Sequence, residues 1–270
     1  MPDKVERLRV LFVGDIVGRV GRRMIKENLP SIISEYQIDF CLANGENAAG
    51  GLGITPEIGQ QLLATGIHVL TSGNHIWSKK EVMEYIAREH RLLRPANYPP
   101  EAPGSGSILT VTPGGTKIAV INLLGRIFID YLDCPFKAVE REIARVKEET
   151  RVIIVDMHAE ATSEKSAMGW YLDGRVSAMI GTHTHIQTAD EKILPRGTAF
   201  ISDAGMTGPA ESVIGMERDM AIHGLISRIP KKVEPATGPG QLEAVIIDID
   251  PLPGKALSIQ RLQIKERKQD

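Results

Sequence analysis

Short, uninterrupted apolar segments recur along the chain, and they restrict its fold more than any other feature of the sequence. Because these segments do not alternate polar and apolar residues, they predict strands that are buried on both faces. The sequences between them have helical patterns, so the chain as a whole predicts an α/β fold. The predicted buried strands are residues 8–13, 38–43, 67–71, 152–156, 176–180 and 199–202.

The intervening segments predict helices and two antiparallel hairpins. Thr55 is a good helix cap before Pro56, and the sequence Ser78 to Glu81 is a capping box that predicts a helix start. Pro30 is expected to kink or divide a helix over residues 22–36. The irregular segment 206–223 predicts a long loop. A further helix is predicted over 135–150, and the hairpins over 108–123 and 242–264.

Composition limits the class of protein. The chain has 270 residues, 42% of them hydrophobic, and a net charge of −2, which argues against stable binding of duplex nucleic acid. Cys41 and Cys134 provide no disulfide framework. Since the N-terminus lacks a signal-peptide pattern and no apolar run reaches the roughly 20 residues of a membrane span, we expect one cytoplasmic domain over residues 1–270.

Polar residues able to bind metal follow five of the predicted strands. In parallel α/β sheets, ligands bind at the carboxyl ends of the strands, so these side chains are expected to share one crevice. The set consists of carboxylates, amides and imidazoles. Its members are Asp15, Glu46, Asn47, Asn74, His75, His158, His183 and His185.

This mixture of oxygen and nitrogen ligands suits iron, manganese or zinc, and without a thiolate it does not predict a structural zinc site. His183 and His185 are two residues apart and could therefore serve two neighbouring metal ions. Glu46 is the candidate to bridge them. By contrast, His68, His90 and His223 are interpreted as structural residues.

The motifs resemble those of the calcineurin-like metallophosphoesterase superfamily. Its pattern is Asp-x-His, Gly-Asp, Gly-Asn-His and Gly-His-x-His, to which residues 15–17, 45–47, 73–75 and 181–185 correspond here in order. Val17 replaces a ligand histidine, and Glu46-Asn47 replaces the bridging aspartate of that pattern. These departures resemble the bacterial YmdB-like phosphodiesterases, as do the sequences Asn44 to Asn47 and His158 to Lys165.

The resemblance implies a four-layer α/β/β/α sandwich and hydrolysis of 2′,3′-cyclic nucleotides to 3′-nucleotides. It also implies a homo-oligomer and two metal ions, iron with manganese as a substitute. In that family pattern, one metal is held by Asp15, Glu46, Asn47 and His185. The other is held by Glu46, Asn74, His158 and His183.

We expect a hydroxide that bridges the two metals to attack the phosphorus atom. His75 lies next to the ligand Asn74 and is the candidate general acid that protonates the leaving alkoxide. Two alternatives remain at the level of sequence. The chain could be a phosphomonoesterase or phosphoprotein phosphatase on the same scaffold, or a regulatory metal-binding protein.

Overall fold

A computed structural model describes residues 7–229 and 233–266. In these ranges the strands, in chain order, are β1 (Leu8–Val13), β2 (Asp15–Ile16), β3 (Phe40–Asn44), β4 (Val69–Thr71), β5 (Ser107–Val111), β6 (Lys117–Leu124), β7 (Ile153–His158), β8 (Ala178–Thr182), β9 (Lys192–Ile193), β10 (Ala199–Ile201), β11 (Met206–Pro209), β12 (Gly240–Asp250) and β13 (Lys255–Lys265). The helices are α1 (Gly18–Tyr36), α2 (Pro56–Ala64), α3 (Val82–Ile86), α4 (Pro135–Val146), α5 (Thr162–Leu172) and α6 (Arg218–Ser227).

The strands form two sheets. The first has the order β2-β11-β12-β1-β3-β4, with β13 paired to β12, and the second has the order β5-β6-β7-β8-β10-β9. Within the first sheet β1, β3 and β4 are parallel, and within the second β6, β7, β8 and β10 are parallel. The buried strands predicted from the sequence are therefore divided between two sheets.

Three apolar cores separate four layers. Phe12 and Ile247 of the first sheet pack in one core with Ile154 and Ile180 of the second, so the sheets lie face to face. A second core joins the first sheet to α1 and α2, and a third joins the second sheet to α4 and α5. This arrangement confirms the predicted α/β/β/α sandwich, in which the central strands are covered on both faces.

Helix α1 is longer than predicted and is not divided. It begins at Gly18 and continues through Pro30 to Tyr36. Pro30 lies on the exposed side of the helix, where the carbonyl of Lys26 that loses its hydrogen bond is open to water. The proline is therefore tolerated in the helix interior.

Two further expectations about local structure are wrong. Residues 206–223 are not a long loop, since β11 pairs with β2 and β12 and most of α6 follows. Ser78 does not cap α3, because it ends a 3-10 turn, Ile76–Ser78, and Lys79 is extended. None of the helices in the described ranges is long and apolar enough to cross a membrane.

Candidate metal centre

The carboxyl ends of strands from both sheets bring the predicted site residues together. Asp15 follows β1, and Glu46 and Asn47 follow β3. Asn74 and His75 follow β4, His158 ends β7, and His183 and His185 follow β8. Asp15, Glu46, Asn47, His158 and His185 are buried, whereas Asn74, His75 and His183 are partly exposed.

Glu46, His158 and His183 form the tightest group. Oε1 of Glu46 lies 2.9 Å from Nε2 of His158, and that nitrogen lies 3.0 Å from Nδ1 of His183. One ligand atom from each residue lies within 4.8 Å of the other two. This spacing suits a single metal ion.

Asp15, Asn47 and His185 are further predicted ligands of the cluster. The side-chain amide of Asn47 donates to Nε2 of His185 at 2.9 Å. Asp15 accepts a hydrogen bond from the backbone N–H of His183 at 3.0 Å, and its second oxygen lies 3.7 Å from Nδ1 of His158. Together with the shared Glu46, these residues could hold a second ion.

Unpartnered oxygens test whether the cluster fits metal ions. Three buried side-chain oxygens of the cluster have no hydrogen-bond partner, namely Asp15 Oδ1, Asn47 Oδ1 and Asn74 Oδ1, whereas Glu46 Oε1 contacts Nε2 of His158 at 2.9 Å. Each unsatisfied oxygen would cost about 1–3 kcal/mol, so three in one cluster require a ligand. Hard cations are the ligands that carboxylate and amide oxygens prefer. The donor set therefore fits metal.

Gly73 keeps the space around these ligands open. A Cβ atom at this position would overlap the side chains of both Glu46 and His158. Glycine is therefore required where β4 leads into Asn74.

Hydrogen bonds orient His158 toward the cluster. Burial raises the pKa of Asp156 to about 6, so its carboxylate is ionised at neutral pH and accepts the hydroxyl hydrogen of Thr182 at 2.7 Å. That hydroxyl has no second hydrogen, so its 2.9 Å contact with Nδ1 of His158 requires Nδ1 to be the donor. Nε2 is then the nitrogen that faces the cluster and would bind a metal once its proton is lost.

The other two histidines are oriented in similar ways. Nδ1 of His185 lies 2.8 Å from the carbonyl oxygen of Ile214, which can only accept, so Nε2 is left toward Asn47. Nε2 of His183 lies 3.1 Å from a carboxylate oxygen of Glu160, which leaves Nδ1 toward His158. Partners of this kind hold metal-binding histidines in one tautomer.

Electrostatic coupling sets the protonation of the metal-free cluster. Burial raises the pKa of Glu46, but attraction to His158 and the N–H of His75 outweighs it and the pKa falls. Burial lowers the pKa of His158, yet the carboxylates of Glu46, Asp15 and Asp156 raise it to about 9. Burial and the neighbouring His158 lower the pKa of His183 to about 3. Metal must therefore displace a proton from His158.

We expect metal binding to weaken as pH falls. Because the raised pKa of His158 leaves it protonated at neutral pH, one proton competes with the metal, and the dissociation constant for Mn²⁺ should rise about tenfold per pH unit. Calorimetric titration of metal-free protein at several pH values below 9 would measure the slope. A dissociation constant that is independent of pH would contradict this protonation state.

The segment that carries His183 and His185 is strained and clamped. Both residues have positive φ angles, 105° and 64°, which are unfavourable for residues other than glycine. The buried ammonium of Lys165 lies 2.7 Å from the carboxylate of Asp203 and donates to the carbonyl of Thr182 at 3.0 Å. Asp203 also accepts from the backbone and hydroxyl of Thr184. This ion pair holds the strained segment in place.

Replacing Lys165 with methionine should destabilise the protein by about 3–5 kcal/mol, because Asp203 would remain as a buried, uncompensated charge. Urea unfolding would measure the change in the free energy of unfolding. Arg175→Met is the matched control, since its pair with Glu140 is partly exposed and is expected to contribute at most about 1 kcal/mol. Equal losses in the two variants would show that Lys165 does not clamp the segment.

His75 lies at the edge of the cluster. Its backbone N–H donates to Oε2 of Glu46 at 3.0 Å, and Nε2 of its ring lies 3.3 Å from the side-chain nitrogen of Asn74. Because that amide nitrogen can only donate, Nε2 is the acceptor and Nδ1 carries the ring hydrogen. A partly exposed imidazole beside a ligand is suitably placed for proton transfer.

Four supporting residues were not identified as such from the sequence. They are the residues that orient or clamp the predicted ligands, namely Asp156, Thr182, Lys165 and Asp203. Asp156 and Lys165 do lie in the motifs around His158, which is the signal that could have found them.

A four-layer sandwich with an Asp, Glu, Asn and His cluster where the two sheets meet defines the metallophosphoesterase class. Within that class, the model of the family described as YmdB-like protein matches residues 11–262. The chain belongs to this YmdB-like family, and the family implies divalent metal ions.

Curated relatives and solved structures agree with that membership. A 2′,3′-cyclic-nucleotide 2′-phosphodiesterase from Bacillus subtilis is 47% identical over 259 residues, covering 96% of this chain and 98% of the relative. The crystal structure of a novel phosphatase from Mycoplasma pneumoniae has a TM-score of 0.92 and 33% identity, covering 98% of this chain and 96% of that one. A hypothetical protein from Thermus thermophilus has a TM-score of 0.90 and 38% identity, covering 96% of this chain and 100% of that one.

Proposed function

We propose that this protein is a phosphodiesterase with two metal ions that hydrolyses 2′,3′-cyclic nucleotides to 3′-nucleotides. The observation that carries the proposal is the group of three unpartnered, buried oxygens beside the Glu46 carboxylate and three oriented imidazoles. The substrate class is supported by the 2′,3′-cyclic-nucleotide 2′-phosphodiesterase activity of the Bacillus subtilis relative, which is similar over nearly its whole length.

Asp15, Glu46, Asn47 and His185 would hold one ion, and Glu46, Asn74, His158 and His183 the other. When bound, such ions lower the pKa of water and offset the charge of the phosphate. The proposed metal is iron, with manganese as an alternative. This choice is supported by a donor set of carboxylate, amide and imidazole without a thiolate.

His75 would supply the proton for the leaving group. Hydrolysis forms a bond between the attacking water oxygen and phosphorus and breaks the bond between phosphorus and O2′. A protonated His75 would give one proton to O2′, while the attacking water keeps one proton on the new phosphate oxygen and releases the other to solvent, so that the product has a free 2′-hydroxyl and a 3′-phosphate. The anchoring of its backbone to Glu46 keeps this ring beside the cluster.

A comparison of three substrates tests the proposal. Manganese-loaded protein should hydrolyse 2′,3′-cyclic AMP faster than 3′,5′-cyclic AMP and p-nitrophenyl phosphate, with 3′-AMP as the only product. Chromatography of the products gives both the rate and the position of the phosphate. Faster hydrolysis of p-nitrophenyl phosphate would instead support a phosphomonoesterase, the second candidate, for which the Mycoplasma pneumoniae phosphatase is the supporting observation.

Assembly and location complete the proposal. We place the protein in the cytoplasm as a single domain without stable binding to duplex nucleic acid.

A homo-oligomer is supported by α6, which has no buried residue and exposes Leu225 and Ile226. Light scattering would measure the molar mass of the wild type and of Ile226→Glu. We expect an oligomeric wild type that dissociates in the variant, and a monomeric wild type would contradict the proposed homo-oligomer.

A further inference from the structure

The loop of residues 125–132 begins at the candidate metal centre. The backbone N–H of Gly125 donates to the carbonyl of His158 at 2.9 Å. The side-chain amide of Asn97 donates to the carbonyls of Leu124, at 2.8 Å, and Asp133, at 3.0 Å, and so holds the two ends of the loop together. The 125–132 loop is thus a compact surface loop with a fixed base.

This loop is ordered at its base but exposes aromatic side chains. The carboxylate of Glu164 accepts hydrogen bonds from the backbone N–H groups of Arg126 and Ile127. Phe128 is nevertheless 89% exposed, and Tyr131 is fully exposed. Phe128 also has a φ angle of 63°, a left-handed conformation that is unfavourable for an aromatic residue. Because its ring is so exposed, packing does not compensate for this conformation, which indicates a role in binding.

A cavity of about 600 Å³ lies between the 125–132 loop and the start of α5. Tyr131 lines one wall, and Ser163 and Ala167 line the other, while the exposed Phe128 lies on the same loop outside the lining of the cavity. Both walls are close in the chain to the metal centre, because the loop is hydrogen-bonded to His158 at Gly125 and α5 follows Glu160, whose carboxylate lies 3.1 Å from His183. The volume is within the usual range for small-ligand sites.

We propose that the 125–132 loop is the nucleobase subsite, in which Phe128 and Tyr131 stack on the base of a nucleotide whose phosphate lies at the metal centre. This inference rests on the function proposed above. Stacking uses the π-face that every base has, so the subsite should accept all four bases. It would bind nucleotides in preference to phosphodiesters that lack a base.

Paired substrates test this subsite. Manganese-loaded Phe128→Ala and Tyr131→Ala variants should each lose about 5- to 100-fold in kcat/KM for 2′,3′-cyclic AMP, mainly through KM. Glycerol 1,2-cyclic phosphate has the same five-membered cyclic diester without a base, and its hydrolysis should not change. Phe128→Trp and Tyr131→Phe should retain activity on the nucleotide. Leu252→Ala is the matched control, because Leu252 is 82% exposed on the distant β12–β13 turn.

Equal losses of kcat/KM on the cyclic nucleotide and on glycerol 1,2-cyclic phosphate, or no loss on either, would overturn the subsite proposal. Calorimetry of adenosine 3′-phosphate binding distinguishes a failure of the subsite proposal from a failure of the proposed phosphodiesterase function. If the wild type hydrolyses neither substrate, the phosphodiesterase proposal fails. Weaker nucleotide binding in the Phe128→Ala/Tyr131→Ala protein would still support the subsite, and unchanged binding would overturn it.

Discussion

Replacing Glu46 with glutamine is expected to remove bound metal and to lower phosphodiesterase activity by roughly 10³-fold or more, since metal ions supply several kcal/mol of transition-state stabilisation. Glu46 is the proposed shared ligand. It is buried, one carboxylate oxygen lies 2.9 Å from Nε2 of His158, and the other receives the N–H of His75. Glutamine has nearly the same shape but no charge. Elemental analysis of the purified variant and its rate on 2′,3′-cyclic AMP would measure both effects.

Asp173→Asn is the matched control for this substitution. Asp173 is also a buried carboxylate that accepts backbone hydrogen bonds, but it lies after the C-terminal end of α5, away from the cluster. Its variant should retain metal and activity. Full metal content in Glu46→Gln would contradict the assignment of Glu46 as a ligand.

His75→Ala is expected to lower turnover of 2′,3′-cyclic AMP by about 10²- to 10⁴-fold, the usual contribution of a general acid. Metal content should not change, because the contact with Glu46 comes from the backbone N–H, which alanine retains. Steady-state rates and elemental analysis on the same preparation would test both statements.

The leaving group provides a second test of His75. The p-nitrophenolate anion leaves without a proton, so His75→Ala should hydrolyse bis(p-nitrophenyl) phosphate at nearly the wild-type rate. His90→Ala, at an exposed position on the surface, serves as the control. A similar loss on both substrates, or a loss of metal, would show that His75 is not the general acid.

The sequence predicted the strands better than the helices, for a physical reason. Strands β1, β3 and β7 are buried on both faces, so their sequences are continuous apolar runs. Helix α5 was not predicted because Glu164 and Lys165 are buried charged residues that interrupt its apolar face. Their partners, the 125–132 loop and Asp203, are distant in the sequence and are recognisable only in three dimensions.

At the candidate site, too, contacts between residues that are distant in the sequence could not be predicted. Its predicted ligands follow strand ends in local motifs, and the structure brings all of them to one edge. The contacts that orient these ligands were not predictable, because Thr182 reaches Asp156 across neighbouring strands and Ile214 contributes only a backbone carbonyl. Sequence motifs identify the metal ligands, whereas the tautomer of each histidine depends on hydrogen bonds that form only in the folded protein.

The most direct test of the central claim is a titration of metal-free protein with Mn²⁺, in which bound metal and hydrolysis of 2′,3′-cyclic AMP are measured together. We predict that two ions bind per chain and that 3′-AMP forms only as they bind. Hydrolysis at the full rate by chelator-treated, metal-free protein, or metal-loaded protein that leaves the cyclic nucleotide intact, would contradict the claim.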